Sequence, residues 1–366
     1  MSGRTVSTEP TAGDGARFTS AAEFEVALEL ELSPAGVPAR PLILLDLDGL
    51  RESEPAEITR FAQRCRESVA PVVGVLGGAP EPRLRDLVRA LTFTLTRAEY
   101  AEWPELVVVG DLDTAVGHVW AAVQHNPQAA IACARLLRQT PGLDTTDGLA
   151  AEAAVFSMLL AGREFRRWLD DRGTARPVAP PPGDLVRAHR DGTRYSVVLD
   201  HPRRRNALSF RLREDLLAAL LPAQLDPTIT EVELSGAGPS FCSGGDLAEF
   251  GTSDDPVAAY LARLDRAPWR VMDRIADRLT VRMHGGCIGA GAEMAAFGGT
   301  VVAAPSTFIA FPEVAMGLIP GAGGTVSVTR RIGRWRAAWL MLTGSRIDAE
   351  TTLRWGLVDR IAGAAQ

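Results

Sequence analysis

No lysine occurs anywhere in the 366 residues; all 39 basic positions are arginine. Chemistry that needs a lysine is thereby excluded: Schiff bases, Walker-type phosphate loops and the lysine of a kinase. Cysteine is scarce as well. Cys65, Cys133, Cys242 and Cys287 show no paired spacing, and the five histidines are scattered. Neither a disulfide framework nor a metal site is expected. No apolar stretch approaches the ~18–20 residues needed to span a bilayer, so no membrane partner is expected. The polar segment Met1–Gly15 has no hydrophobic signal core and is expected to be a disordered tail of a cytoplasmic protein. With a formal net charge of -6 and no long basic run, no nucleic-acid partner is expected.

What is present is apolar residue, 46% of the chain, and a length that suggests two domains. Residues 174–183 read TARPVAPPPG, and four prolines in ten residues mark a linker. It separates residues 16–173 from residues 184–366. In the second part, apolar runs at Tyr195–Leu199, Thr230–Leu234, Leu279–Met283, Val301–Ala304 and Phe308–Ala310 alternate with helical patterns, which implies an α/β fold. The first part alternates too, with strands at Pro41–Leu45, Val72–Leu76, Thr92–Thr96 and Leu106–Val109. It then turns almost wholly helical over residues 113–172, where Pro127 starts a helix.

Three glycine-rich segments of the second part carry candidate chemistry: SFCSGGDLAEF (Ser240–Phe250), HGGCIGAGAEMAAFG (His284–Gly298) and FPEVAMGLIPGAGGT (Phe311–Thr325). Glycines after a strand let backbone amides face a ligand. Gly289-Ala290-Gly291 precedes an apolar helix, where unpaired N–H groups suit an oxyanion, and the loop at Ser243-Gly244-Gly245 offers a second donor. Glu293, in the first turn of that helix, and Glu313, between Pro312 and Val314, are carboxylates in apolar surroundings.

Together with HPRRRNALS (His201–Ser209) and TGSRIDAETTLRWGLVD (Thr343–Asp359), these segments resemble the crotonase (enoyl-CoA hydratase/isomerase) superfamily. The resemblance implies a spiral of ββα units. It places oxyanion amides at Gly245 and Ala290, the latter usually glycine in the family. It places the two hydratase glutamates at Glu293 and Glu313, 20 positions apart as in hydratases. It also implies substrate contacts at Arg203, Arg204, Arg205, Phe241, Ser243, Asp246, Leu247, Gly291 and Gly321, where arginine forks suit the coenzyme A phosphates. The activity implied is hydration of an enoyl-CoA or the reverse dehydration, with no cofactor beyond the substrate's own coenzyme A. Double-bond isomerisation, another enolate-forming reaction and a non-catalytic scaffold are the alternatives. Family members assemble as trimers or multiples of them, which implies a homo-oligomer.

By the resemblance, the family's C-terminal helices that cover the acyl site are not expected after Asp359. The segment 113–172 resembles them. Residues 16–173 therefore read either as a degenerate crotonase-like domain or as an unrelated α/β accessory domain, with the helices of 113–172 expected to dock on a core in the same chain or a neighbour. Three decoys are set aside. The LLDLDGL run (Leu44–Leu50) looks like a phosphatase motif but lacks the downstream lysine, so Asp46 and Asp48 read as turn residues. Cys242 and Ser243 lack a nucleophile frame. His284 reads as structural.

Overall fold

The computed structural model describes residues 17–18, 29–174, 183–252 and 255–363. The expected tail and nearly all of the expected linker lie outside the described residues. The chain divides into two compact units, Met1–Gln124 and His125–Gln366.

The first unit carries a five-stranded, all-parallel sheet in the order β1 (Arg17–Phe18), β2 (Ile43–Asp46), β3 (Val72–Leu76), β4 (Phe93–Thr96), β5 (Leu106–Val108). Parallel strands covered on both faces read as continuous apolar runs, and VVGVL is buried at every position. Helices α1 (Pro55–Glu67) and α2 (Arg85–Ala90) contribute Ile58, Phe61, Leu87 and Val88 to its core. Helix α3 (Leu112–His125) closes the unit. Asp46 and Asp48 build turns: Asp46 accepts the amide of Asp48 at 3.0 Å, and Asp48 accepts the amides of Gly77 and Gly78 and pairs with Arg51.

The second unit opens with helices α4 (Pro127–Gln139), α5 (Thr145–Leu160) and α6 (Arg163–Arg172). Pro127 stands in the first turn of α4, where its missing N–H costs nothing, and the Asp144 carboxylate caps α5. An antiparallel hairpin follows, β6 (Val186–Asp191) and β7 (Arg194–Leu199), then helix α7 (Phe210–Leu225), β8 (Glu231–Gly236), α8 (Pro256–Asp265) and α9 (Pro268–Arg274). The chain then repeats strand, strand, helix: β9 (Leu279–Met283), β10 (Gly286–Ile288), α10 (Ala290–Ala295); β11 (Thr300–Ala303), β12 (Phe308–Ala310), α11 (Gly324–Thr343). It ends through β13 (Ile347–Asp348), α12 (Ala349–Trp355) and β14 (Arg360–Ile361). One strand of each repeat joins a six-stranded sheet, order β14-β11-β9-β8-β7-β6, and the other joins a three-stranded sheet, order β10-β12-β13. This alternation is the expected α/β spiral of ββα units.

The boundary between units lies upstream of the proline-rich stretch at which the sequence suggested a division, and the reason is packing. Helices α4–α6 turn apolar faces onto the core of the second unit. Asn126 donates from its side-chain amide to the carbonyl of Val314 at 2.8 Å, Phe165 and Trp168 ring-stack with each other and meet Phe250, and Arg330 reaches the Thr145 hydroxyl. Among the described residues no helix is long and apolar enough to cross a membrane.

Candidate active site

A cavity of about 420 Å³ opens in the second unit. Its wall includes Gly245, Asp246, Ala290, Glu293, Glu313 and Gly321, six of the residues singled out from sequence. The backbone that brings them together is set by hydrogen bonds around Asn206, a residue the sequence reading passed over. Its side-chain amide donates to the carbonyls of Ala237, Ser240 and Phe241, and its Oδ1 accepts the amide of His201 at 2.7 Å. Three acceptors for one buried NH₂ group pin the loop that carries Gly245.

Among the described residues, neither the N–H of Gly245 nor that of Ala290 has a hydrogen-bond partner. Ala290 is the first residue of α10, where helix geometry leaves the N–H free. The turn before it depends on Gly289, whose φ is +47°; a Cβ there would stand only 2.0 Å from Oε1 of Glu313. A side chain at Gly289 would therefore collide with the catalytic candidate as well as strain the backbone.

Glu293 is 1% exposed and Glu152, on α5, 2%. Oε2 of Glu293 accepts the amides of Ala322 at 2.7 Å and Gly324 at 2.9 Å. Glu152 accepts the amides of Gly323 at 2.6 Å and Thr325 at 2.9 Å and the Thr325 hydroxyl at 2.7 Å. Two carboxylates thus clamp successive amides of one loop from opposite elements. Oε2 of Glu313 is buried with no partner. Burial pushes the Glu313 carboxyl up to about 8, helped by the Glu152 charge. Burial also holds Glu293 well above the usual range, with Glu313 and Glu152 adding repulsion. For Glu152 burial raises the carboxyl against the pull of its Thr325 and Gly323 donors. The three carboxyls repel one another's charge, so their ionisations are coupled and a proton held by one favours ionisation of the others.

The remaining expected contacts divide. Asp246 lines the cavity and is paired with Arg204, which leaves Arg204 occupied by a protein carboxylate. Arg203 and Arg205 are exposed near it in the chain but do not line the cavity. Ser243 is partly exposed, and Leu247 is 52% exposed with its carbonyl accepting from Arg172; neither lines the cavity. Phe241 was expected to touch substrate. Its side chain is instead fully buried, away from the cavity, because its backbone is the part held by Asn206. Gly291 likewise does not line the cavity: a Cβ there would lie 2.3 Å from the carbonyl of Cys242, so its glycine serves close backbone packing. Burial pushes the Cys242 thiol up to about 12, which suits an inert core residue. His284 bonds through Nε2 to the carbonyl of Gly238 at 2.9 Å, a structural role. Among the described residues no group of three or more side chains is arranged to hold a metal ion.

Comparison with known proteins bears on the same region. The family model for enoyl-CoA hydratase/isomerase matches residues 193–366. An enoyl-CoA isomerase/hydratase of Mycosarcoma maydis is 35% identical over 178 residues, 46% of this chain and 65% of that protein. A 2,3-dehydroadipyl-CoA hydratase of Escherichia coli is 32% identical over 165 residues, 45% of this chain and 64% of that protein. The match thus spans a little under two thirds of each of these relatives. A solved enoyl-CoA hydratase from Bacillus anthracis shares 27% identity, with 49% of this chain and 70% of that one covered at a TM-score of 0.45.

Proposed function

Residues 193–366 belong to the enoyl-CoA hydratase/isomerase family, and on that premise we propose that this chain binds a 2-enoyl-CoA and adds water across its double bond, or catalyses the reverse. The observation that carries the reading is one cavity holding Glu293, Glu313 and the two free amides of Gly245 and Ala290. The thioester oxygen accepts hydrogen bonds from both amides, which polarises the conjugated system and stabilises charge on that oxygen as the enolate forms. Glu293, its Oε2 already bonded to two amides, keeps Oε1 for a water molecule and takes a proton as the water oxygen bonds to the β-carbon. Glu313, whose Oε2 has no donor to favour the ionised form, holds a proton and delivers it to the α-carbon as the enolate collapses. The reaction so drawn uses carboxylates, amides and water; coenzyme A enters only as the handle of the substrate.

The test is turnover of crotonyl-CoA by the full chain. Glu293→Gln and Glu313→Gln should each lower kcat by roughly 10²–10⁴-fold. Loss in Glu313→Gln alone, with 3-enoyl-CoA isomerisation kept in Glu293→Gln, would assign the chain to the isomerases instead. Full activity in both variants would leave a site that does no acid–base work.

A further inference from the structure

The cavity holds two cations that the chemistry above leaves unused. Arg263, on α8, lines it with Arg213, on α7, in a stretch of wall that is otherwise largely apolar: Phe156, Leu160, Ala259 and Trp269. The guanidinium carbon of Arg263 stands 4.0 Å from the centroid of the Phe156 ring. One of its nitrogens donates to the carbonyl of Ala259, a turn back on its own helix, at 3.2 Å, while its Nε is buried with no partner. Arg213 also has a buried, unpartnered Nε, and its ion pair at 3.3 Å is with the adjacent Glu214, itself held by Arg266.

Three of the four acidic groups of the wall are engaged elsewhere, and the fourth, Glu313, forms no ion pair with either arginine among the described residues. Asp246 pairs with Arg204, Glu249 accepts the amide of Phe210, and Glu293 accepts the amides of Ala322 and Gly324. Among the described residues no carboxylate forms an ion pair with Arg263. Desolvation and the neighbouring Arg213 charge push Arg263 down to about 10, only partly offset by the fields of Glu152 and Glu293. It nonetheless stays a cation at neutral pH. A desolvated fork of donors with a second cation nearby is a costly arrangement in an apolar wall, and an anion supplied by a ligand relieves it.

We propose that this cavity selects acyl-CoA thioesters whose acyl group itself carries a carboxylate, received by the guanidinium of Arg263 with Arg213 alongside. The inference rests on the reading above for the position of the thioester. It makes α8 the element that sets substrate class.

Glutaryl-CoA and butyryl-CoA test it, because they share coenzyme A, differ by the terminal carboxylate and undergo no hydration. Titration calorimetry on the full chain should show glutaryl-CoA binding more tightly, by about a hundredfold. Arg263→Met should bring the ratio of the two affinities toward one, and Arg263→Lys should restore it only in part, since an ammonium lacks the planar fork. Circular dichroism checks that each variant is folded; should Arg263→Met not fold, the wild-type ratio and the lysine variant still decide. Equal or tighter binding of butyryl-CoA by the wild type overturns the proposal. So does a variant that weakens both ligands equally, which would assign Arg263 to the coenzyme A phosphates. A strong, Arg263-dependent preference in a protein that hydrates neither crotonyl-CoA nor glutaconyl-CoA supports this inference and sinks the hydratase reading. Hydration of crotonyl-CoA without any preference for the carboxylated ligand does the reverse.

Discussion

Glu313 links protonation to both activity and stability. Its carboxyl is raised from an ordinary 4.5 to about 8 by burial, so the folded chain binds a proton that the unfolded chain releases at lower pH. The stability linked to that proton is fully present below about 4.5 and is lost as pH rises through about 8. Glu313→Gln cannot ionise. Its melting temperature should therefore fall less between pH 5 and pH 9 than that of the wild type; identical slopes would show that the carboxyl is not raised. If Glu313 is the acid of hydration, kcat for crotonyl-CoA should also decline above about pH 8, on a basic limb of the pH profile. Among single residues, Glu293 and Glu313 were legible because each interrupts an apolar run beside glycines that need an explanation of their own. Arg263 was not: in YLARLDRA it alternates with other charges and looks like part of a solvated face. Phe241 misled because a motif marks a stretch of backbone, while its side chains point in alternate directions.

At the scale of elements, α5 is held to the glycine loop before α11 by one buried carboxylate. Removing it in Glu152→Ala strands the amides of Gly323 and Thr325 and the Thr325 hydroxyl without an acceptor. The expected cost is about 3–5 kcal/mol, as for a buried charged group stripped of its partner. Chemical denaturation should show it as a lower midpoint with little change in slope; a loss below about 1 kcal/mol would mean the loop is held by packing alone. Glu152→Gln, which keeps one acceptor oxygen, should fall in between. The helical, apolar character of the stretch was readable from sequence, but its start was not: Asp144 caps a helix that begins at Thr145, inside residues 140–147 that read as a break. The polar exception in AAEAAVF carried the missed signal. A glutamate on a helix that is apolar nearly all round has no wet face to occupy, so it has to be paired inside.

For the whole molecule, the covalent punctuation and the packing disagree. Prolines announce a break at 174–183, yet α4–α6 belong to the same compact unit as the strands that follow. Sequence reports where a chain is stiff or extended; which surfaces close on each other depends on long-range complementarity that no local pattern records. The helical cover was nevertheless readable from its apolar stripes, which include Leu136, Leu137, Phe156 and Leu159, all buried. A fragment of residues 184–366 should therefore expose the faces that these helices cover and aggregate or remain inactive. A fragment of residues 125–366 should fold with a single cooperative thermal transition. The reverse outcome, a stable 184–366 with full activity, would make α4–α6 ornamental.

The distance along the chain between Glu152 and its donors has a consequence in time. The carboxylate and the Thr325 amide are separated by 173 residues. At the pace of synthesis, ~5–20 residues per second, α5 leaves the ribosome roughly ten to thirty seconds before its binding loop exists. Through that interval Glu152 is hydrated and ionised, at no cost. Its burial, the rise in its proton affinity and the packing of the Phe156 ring against Gly321 all wait for the glycine loop to arrive. The cover of this site is made first and acquires its shape last.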